Sequence, residues 1–244
     1  MDITGRPSQE IYDVVGIGFG PSNMALAIAL EEHEASAPQH PIKSHFFERQ
    51  STFGWHRNML LPSTTMQISF LKDLATFRNP MSRFSFVSYL HASNRLVQFV
   101  NNQDFFPTRQ EFHQYLEWAA ADLSDRVTYG AEVTSIRPGT GPGARTPDVL
   151  EIEVRGGDGT TSVVTARNVV ISTGLVPRLP EGVTSDERVW HSSKFLSSFH
   201  AQAPDDLKSV AVVGAGQSAA EITRFLYDSL PHAEVCAVIP SARA

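Results

Sequence analysis

Two short glycine-rich stretches are the parts of this chain best suited to bind a ligand. The first, GIGFGPSN at 16–23, supplies the first two glycines of the G-x-G-x-x-G dinucleotide-binding pattern and has Pro21 at the third position. The second, GAGQSA at 214–219, has Ala219 at that position, an accepted variant. In such a turn the first glycine permits the bend, the second lets the backbone approach a pyrophosphate, and the following helix offers free N–H groups.

The first stretch lies between elements that the dinucleotide-binding motif requires. IYDVVGIG (11–18) predicts a strand, PSNMALAIALEEH (21–33) a largely buried helix, and SHFFERQ (44–50) a second strand. Pro21 then stands at the first helical position, where its missing N–H costs no hydrogen bond. Glu48 is a candidate acceptor for a ribose hydroxyl, and an exposed glutamate at a strand end is the alternative.

The same pattern returns near the end of the chain. SVAVVGAGQSAAEITRFLYDSL (209–230) predicts strand, glycine turn and helix, and AEVCAVIP (233–240) predicts the next strand. No acidic residue follows this strand and Arg243 lies close by, which favours NADPH over NADH. One flavin nucleotide and one nicotinamide nucleotide are the economical interpretation of two such units.

The region between the two units has a different character. Residues 51–110 are rich in aromatic residues, Met, Asn and Pro and predict irregular structure, whereas EFHQYLEWAAADL (111–123) predicts an amphipathic helix. VLEIEVR (149–155) alternates apolar and polar residues, as in a strand with one solvent-facing side. The predicted fold class is α/β, with two Rossmann-like dinucleotide-binding units and a small antiparallel β connection. The strands expected in that connection are 131–137, 149–155, 161–166 and 168–173.

Composition and charge argue against several other classes of protein. The formal net charge of −6 and the pI near 5.8 argue against a nucleic-acid surface. The single cysteine, Cys236, excludes an intrachain disulfide and a C-x-x-C redox pair. The sequence has no H-E-x-x-H spacing and no G-x-S-x-G elbow, so we expect neither a metal site nor a serine hydrolase. No signal peptide or membrane-length apolar run is seen, so we expect a soluble cytoplasmic protein.

Several longer motifs resemble the flavin-dependent N-hydroxylating monooxygenases, which hydroxylate the side-chain amine of L-ornithine or L-lysine for siderophore biosynthesis. The proline in the first glycine motif is itself a trait of that family. The resemblance implies FAD and NADPH as cofactors and covers nearly the whole chain. The motifs that carry it, in the order of the family, are GxGPSN, FGWH (53–56), MQISFLKDLATFRNP (66–80), FPTRQEFHQYLEW (106–118) and GAGQSAAE (214–221).

The resemblance implies contacts with FAD at the matching positions. The first glycine motif would form the pyrophosphate turn, Glu48 would hold the adenosine ribose, and Val133 would touch the adenine region. Met66 and Gln67 would lie against the isoalloxazine ring, and the FGWH stretch would wrap the cofactor. The predicted FAD residues are Gly16, Gly18, Pro21, Ser22, Glu48, Trp55, His56, Met66, Gln67 and Val133.

The resemblance also implies contacts with the substrate and with NADPH. Gln67 is the predicted catalytic residue and would also contact the substrate, and its amide offers both a donor and an acceptor to a ring edge. Lys72 would bind the amino-acid substrate as a compact cation suited to an α-carboxylate, and an ordinary surface lysine is the alternative. Arg109 would reach the nicotinamide side. The NADPH residues of the second turn would be Ala215, Gly216, Gln217 and Ser218.

The resemblance predicts an enzyme that hydroxylates L-ornithine at N5. In that family NADPH reduces FAD, the reduced flavin captures O₂ as a C4a-hydroperoxide, and the substrate amine attacks its distal oxygen. L-Lysine N6-hydroxylation is the alternative, and the LKDLATFRNP and FPTR stretches look closer to the ornithine type. A sulfur- or ketone-oxidising monooxygenase also stays open, although VWHSSKF (189–195) lacks the glycine of the usual F-x-G-x-x-x-H signature.

The resemblance divides the chain at residue 206. Residues 1–206 would form the FAD-binding domain, and residues 207–244 would begin the NADPH-binding domain. Family members continue beyond the second glycine unit, so we expect this chain to lack a C-terminal part and to bind FAD weakly by itself. A catalytically incompetent flavin-binding fragment is therefore a further alternative. We expect no nucleic-acid or membrane partner, and the sequence leaves a homo-oligomer open.

Overall fold

The computed structural model describes residues 11–62, 64–141, 144–203 and 206–239. These residues form a mixed α/β structure in which most strand pairs are parallel. Their contacts group them into two compact units. The first unit contains the described residues up to Gly54 together with Ser69–Phe105 and Gln114–Gly174. The second unit contains Trp55–Ile68, Phe106–His113 and the described residues from Leu175 onward.

Eight strands and six α-helices lie in the described part of the chain. The strands are β1 (Ile11–Ile17), β2 (Ser44–Glu48), β3 (Val127–Tyr129), β4 (Ala131–Gly139), β5 (Val149–Gly156), β6 (Thr161–Ile171), β7 (Ser209–Val213) and β8 (Glu234–Val238). The helices are α1 (Pro21–Ser36), α2 (Phe86–Ala92), α3 (Leu96–Asn101), α4 (Arg109–Asp122), α5 (Phe195–His200) and α6 (Gln217–Ser229). None of the helices in these ranges is long and apolar enough to cross a bilayer.

The first unit is built on one six-stranded sheet in the order β3-β2-β1-β6-β5-β4. β3, β2, β1 and β6 are parallel, and β5 and β4 continue the sheet as antiparallel strands. The parallel pair β1 and β2 is joined by α1, because parallel neighbours require a crossover connection. In this register Ile17 of β1 pairs with Phe47 of β2 and with Ile171 of β6. The glycine turn that follows Ile17 therefore lies at the carboxyl ends of three parallel strands.

The core of this sheet explains the alternation in β5. Ile152 and Val154 are buried, whereas Glu151 and Arg155 are exposed, which confirms the predicted strand with one solvent-facing side. The residues of this core cluster are Val15, Phe47, Ala131, Ile152, Val154 and Ala166. Burying such aliphatic and aromatic side chains contributes roughly 1.5–3 kcal/mol each, which holds the strands in register.

Tyr115 of α4 anchors an irregular segment of the first unit. Its ring is fully buried and packs edge-on against Phe86. The Tyr115 hydroxyl donates to the carbonyl oxygen of Phe84 at 2.8 Å and accepts from the amide of Leu74 at 3.0 Å. Burial and then the nearby Asp73 charge raise the pKa of Tyr115, so the hydroxyl stays protonated. One side chain thus fixes two stretches of backbone that have no ladder partners of their own.

The second unit repeats the strand, turn and helix arrangement. β7 and β8 are parallel neighbours, with Val210 opposite Val235, and α6 connects them. The buried face of α6 carries Ile222 and Leu226, and Leu230, directly after the helix, is buried as well. These side chains pack in one cluster whose other buried members are Met59, Leu61, Phe195, Phe199 and Val212.

The structure corrects two expectations about the secondary structure and adds one strand. Residues 51–110 are not irregular throughout, because α2 and α3 form there and the Ser85 side chain caps α2 by accepting from the Ser88 amide. The two strands expected at 161–166 and 168–173 are one strand, β6. Its residues 161–166 pair with β5 and its residues 165–171 pair with β1, so the pairing has no break. β3 was not predicted, since three residues are too few to show a periodic pattern.

Replacing Tyr115 with phenylalanine tests this anchor. We expect the free energy of unfolding to fall by about 1–3 kcal/mol, because the buried Leu74 amide loses its acceptor. Urea denaturation measures the change. Tyr12→Phe removes a hydroxyl from a half-buried ring in the same unit, and we expect it to stay within about 0.5 kcal/mol of the wild type. Equal stability of the two variants would contradict the proposed anchor.

Candidate functional site

The first glycine turn admits only glycine at two of its positions. Gly18 has a φ of +84°, and a Cβ on it would lie 2.5 Å from the carbonyl oxygen of Ser172. A Cβ on Gly16 would lie 2.1 Å from Cδ1 of Phe46, whose ring is fully buried. Gly20, in contrast, has open space where a Cβ would stand. The two glycines of the motif are therefore required by close approach of the backbone to its surroundings.

The turn leads directly into α1, which begins without a side-chain cap. Pro21 occupies the first helical position, as predicted, and the preceding Gly20 cannot supply a capping side chain. The first helical hydrogen bond runs from the Met24 amide to the Gly20 carbonyl oxygen at 3.0 Å. The amides of Ser22 and Asn23 precede this bond, so they have no partner within the helix. They can donate to an anion at the positive end of the helix dipole.

Glu48 lies beside this turn at the end of β2. Its Oε2 accepts from the amide of Phe19 at 2.8 Å, and its Oε1 accepts from the amide of Gln50 at 2.8 Å. Both oxygens are thus held in fixed positions, and each retains a second lone pair. The carboxylate can therefore accept a further hydrogen bond, such as one from a ribose hydroxyl.

Asn23 supports the turn through hydrogen bonds of its side chain. The sequence motif did not indicate this role. Its side chain is fully buried on α1, and Nδ2 donates to the carbonyl oxygens of Gly18 at 2.7 Å and Ile17 at 3.3 Å. The same nitrogen would lie 3.0 Å from a Cβ on Gly16. Asn23 therefore occupies the space that the missing side chain of Gly16 leaves and ties the helix start to the turn.

Four predicted FAD residues lie in the second unit, in the segment 55–68. The Trp55 amide donates to Nε2 of His113 at 3.4 Å, and the indole meets the His56 ring edge-on at 4.6 Å between centroids. The backbone of His56 is left-handed, with a φ of +50°. Partial burial and then the charge of Arg109 lower the pKa of His56, so its ring is neutral at pH 7. The Phe112 ring also lies against the indole, with 5.9 Å between the ring centroids.

Met66 and Gln67 follow in the same segment with opposite exposure. The Met66 amide donates to the carbonyl oxygen of Pro107 at 2.9 Å, and Thr65 forms an isolated antiparallel bridge with Thr108. Met66 is buried, whereas the next side chain, Gln67, is exposed. The short pairing therefore presents the Gln67 amide outward, where it can contact a ligand.

Arg109 stands at the start of α4 and is bound by an acidic partner. Its Nη1 and Nη2 donate to the two carboxylate oxygens of Glu221 at 2.9 and 2.7 Å, a bidentate ion pair. Nη1 also donates to the carbonyl oxygen of Met59 at 2.9 Å. Only 12% of the Arg109 side chain and 15% of the Glu221 side chain are exposed. The predicted contact of Arg109 with a nicotinamide nucleotide stays a prediction, and its terminal nitrogens already hold protein groups.

Lys72 lies in the first unit, in a loop that Asp73 organises. The Asp73 carboxylate accepts from the amides of Ala75 at 3.0 Å, Thr76 at 2.6 Å and Phe86 at 2.7 Å, and from the Thr76 hydroxyl at 2.7 Å. The Lys72 side chain is exposed. A rigid loop thus carries an exposed cation.

The second glycine turn matches the first when Gly214 is compared with Gly18 and Gly216 with Gly20, because Gly18 and Gly214 have positive φ and Gly20 and Gly216 directly precede the helices. The structural match is therefore shifted by two residues from the sequence motif that starts at Gly16. Gly214 has a φ of +143°, and a Cβ on it would lie 3.4 Å from Cβ of Ala219, so a small residue packs against the turn. Gly216 precedes α6 without a side-chain cap, and its carbonyl oxygen accepts from the Ala219 amide at 3.1 Å. An open groove of about 470 Å³ borders the turn. The predicted nucleotide residues, all exposed, are Ala215, Gly216, Gln217 and Ser218.

The structure brings some predicted residues together and leaves others apart within each unit. Gly16, Gly18, Pro21, Ser22 and Glu48 form one cluster at the carboxyl ends of β1 and β2. Val133 belongs to the same unit but lies on β4, where it pairs with Val154 and packs on the core of the sheet. Arg243, which favoured NADPH, lies outside the described residues.

Comparison with known proteins identifies the family. Residues 10–244 match the family described as L-lysine 6-monooxygenase/L-ornithine 5-monooxygenase. The chain belongs to this family. The resemblance that the sequence motifs carry is thereby confirmed.

Individual relatives show how much of the family's length is present. The L-ornithine N(5)-monooxygenase of Burkholderia cepacia is 43% identical over 231 residues, which are 93% of this chain and 51% of that protein. The structure of an ornithine N-hydroxylase from Kutzneria sp. 744, described with reduced FAD, NADP⁺ and L-ornithine, is 57% identical with a TM-score of 0.88. It is covered over 54% of its length by 96% of this chain. An L-lysine 6-monooxygenase from Pseudomonas syringae is 33% identical, with a TM-score of 0.75 over 93% of this chain and 53% of that one. The chain spans about half the length of these relatives.

Three polar residues of this family member have structural roles that the sequence did not reveal. Asn23, Asp73 and Glu221 each make at least two hydrogen bonds to groups that position the predicted site residues. Each lies inside a quoted motif, so its location in GPSN, LKDLATF or GAGQSAAE was the available signal. Their partners are distant in sequence, and no spacing rule predicts them.

Two glycines of the first turn provide a matched pair for a stability test. We expect Gly18→Ala to lower the free energy of unfolding by at least about 1–3 kcal/mol, because alanine is strained at positive φ. The clash with Ser172 adds to this cost. Gly20→Ala has room for its methyl group, and we expect a change within about 0.5 kcal/mol. Denaturant unfolding of both variants measures the difference, and equal losses would contradict the assigned geometry.

Proposed function

We propose that the protein to which these 244 residues belong is an FAD- and NADPH-dependent monooxygenase that hydroxylates the side-chain amine of L-ornithine at N5. We place it in the biosynthesis of a siderophore or related natural product. The observation that carries the proposal is the presence of two uncapped helix starts, each after a parallel strand and a glycine turn, in a member of this family. The preference for ornithine is supported by 57% identity to an ornithine N-hydroxylase, against 33% to a lysine monooxygenase.

The residues at the first turn fit the diphosphate of FAD. Ser22 and Asn23 offer amides ahead of the first helical hydrogen bond, and Gly20, directly before the helix, has open space where a side chain would stand. Glu48, held by Phe19 and Gln50, would accept from the adenosine ribose. Bound FAD would supply the oxygen-transfer chemistry, which no protein side chain provides. The chain would bind and orient the cofactor.

The second turn fits the diphosphate of NADPH by the same argument. The amides of Gln217 and Ser218 precede the bond from Ala219 to Gly216, so they are free of helical partners. Ala215 is exposed beside them. Arg109 would act on the nicotinamide side. We propose accordingly that residues 207–244 begin the NADPH-binding domain.

The FAD-binding domain is proposed for residues 1–206, on the grounds of the FAD contacts that the family resemblance implies. The compact units divide the chain differently, since Trp55–Ile68, Phe106–His113 and residues from Leu175 onward group with the second glycine turn. The proposal assigns Trp55 and Met66 to FAD although they belong to the second unit. Domain names that follow the ligand and units that follow internal contacts therefore need not coincide.

Gln67 and Lys72 would contact the flavin and the substrate. Gln67 presents an amide with a donor and an acceptor, which suits a flavin edge or a polar group of the substrate. Lys72 would pair with the α-carboxylate of ornithine. An alkylamine has a pKa of about 10.4, and only the neutral amine is a nucleophile. The site must therefore lower the amine pKa by desolvation or accept its proton.

Product analysis tests the function directly. The whole natural protein that carries these residues is incubated with FAD, NADPH, O₂ and either L-ornithine, L-lysine or no amine. We expect hydroxylamine with ornithine, and about 10–200-fold less efficient turnover of lysine, the discrimination that one methylene allows. Formation of hydrogen peroxide without hydroxylamine would refute the proposal. A preference for lysine would refute the assignment of L-ornithine as the substrate. The 244-residue chain alone is a separate arm, for which we expect weaker FAD binding.

Lys72→Met tests the proposed carboxylate contact. We expect the KM for L-ornithine to rise about 30-fold or more with a smaller change in kcat, because losing one partner of a charge pair costs ~2–5 kcal/mol of binding. Lys208→Met removes another exposed lysine and should leave both constants unchanged. Steady-state kinetics on both variants measures the effect, and an unchanged KM for Lys72→Met would exclude this role.

A further inference from the structure

Glu221 is the centre of a hydrogen-bond network to which the proposed function assigns no role. Its Oε1 accepts from Nη2 of Arg109 at 2.7 Å and from Nε2 of Gln217 at 2.7 Å, and its Oε2 accepts from Nη1 of Arg109 at 2.9 Å. The carboxylate lies one helical turn after Gln217, so it faces the same side of α6. One carboxylate thus holds a residue at the second glycine turn and a guanidinium at the start of α4.

Arg109 extends this network to a third segment of the second unit. Its side chain donates to the carbonyl oxygen of Met59, and its amide donates to the carbonyl oxygen of Thr64 at 2.9 Å. The segment between those two carbonyls leads directly to Met66 and Gln67. Arg109 therefore connects the proposed flavin-contacting segment to the Glu221 carboxylate.

We propose that Glu221 is a positioning residue that sets, through Arg109, the geometry between Gln217 and the segment that carries Met66 and Gln67. The inference rests on the proposed function, in which Gln217 contacts the nicotinamide nucleotide and Met66 and Gln67 contact the flavin. Transfer of a hydride, two electrons with one proton, from the reduced nicotinamide to the oxidised flavin requires the two rings at a defined separation. A displacement of about 1 Å can cost about 10²-fold in rate.

The geometry of the network supports a positional role. A bidentate guanidinium–carboxylate pair fixes both the distance and the plane of its partners. The pair is largely shielded from water, so salt screens it little. A second carboxylate on the same helix lacks these features, because Asp228 pairs with Arg224 through one contact at 2.7 Å and both side chains are mostly exposed. Asp228 therefore provides a matched control.

The test compares Glu221→Gln with Asp228→Asn in the whole natural protein. Isothermal titration with NADP⁺ gives the dissociation constant, and anaerobic single-turnover mixing with NADPH gives the rate of flavin reduction. We expect Glu221→Gln to slow flavin reduction about 10²-fold and to weaken NADP⁺ binding about tenfold, the factor that 1.4 kcal/mol represents. We expect Asp228→Asn to change neither quantity more than about twofold, as for a surface ion pair. Circular dichroism at the assay temperature verifies that each variant is folded.

A purely structural role makes different predictions. In that case folded Glu221→Gln would show only a lower stability, with wild-type NADP⁺ affinity and flavin reduction, and the inference would be overturned. Arg109→Lys keeps the positive charge but loses the bidentate geometry of the guanidinium. It replaces Glu221→Gln as the test variant if Glu221→Gln does not fold. We expect the same direction of effect, and a double variant no worse than the more severe single one. Wild-type protein without NADP⁺ binding or flavin reduction would refute the proposed function and this inference together, whereas a failure confined to Glu221→Gln would refute the inference alone.

Discussion

The parallel register of β1 with both of its neighbours fixes the geometry of the first glycine turn. Ile17 stands opposite Phe47 on one side and Ile171 on the other, so the next residues of all three strands meet at one point. This places the Glu48 carboxylate at the Phe19 amide and the Ser172 carbonyl against Gly18. A slip by one residue would reverse the faces of the strand and separate both pairs. The free amides at the start of α1 can bind an anion at this turn only while this register holds.

Both glycine turns place an extended glycine, Gly20 or Gly216, before a helix without a side-chain cap, but different groups support the two turns. At the first, an acidic residue on the neighbouring strand binds a turn amide, and Asn23 ties the helix to the turn carbonyls. At the second, the acidic residue is on the helix itself and is bound by Arg109. The first turn is therefore braced by its sheet, whereas the second is braced by a side-chain network. Such networks depend on every member being satisfied.

The sequence predicted the fold best where a local pattern determines it. The strand, turn and helix of each glycine unit followed from composition and period, and Pro21 was placed correctly because its preference for the first helical position is intrinsic. α2 and α3 were missed because they are short and their support is tertiary, from aromatic packing such as that of Phe86 and Phe99. The ion pair of Arg109 joins residues 112 positions apart, a contact that no local pattern encodes.

The satisfaction of Asp73 has a consequence for its neighbour in the chain. A lysine followed directly by an aspartate would ordinarily risk neutralisation by its own neighbour. Here the aspartate oxygens are occupied by three amides and a hydroxyl, which draw them inward. The Asp73 carboxylate therefore would not compete with an incoming anion for the ammonium group of Lys72. The loop thus keeps the opposite charges of two adjacent residues apart, because backbone amides bind the Asp73 carboxylate.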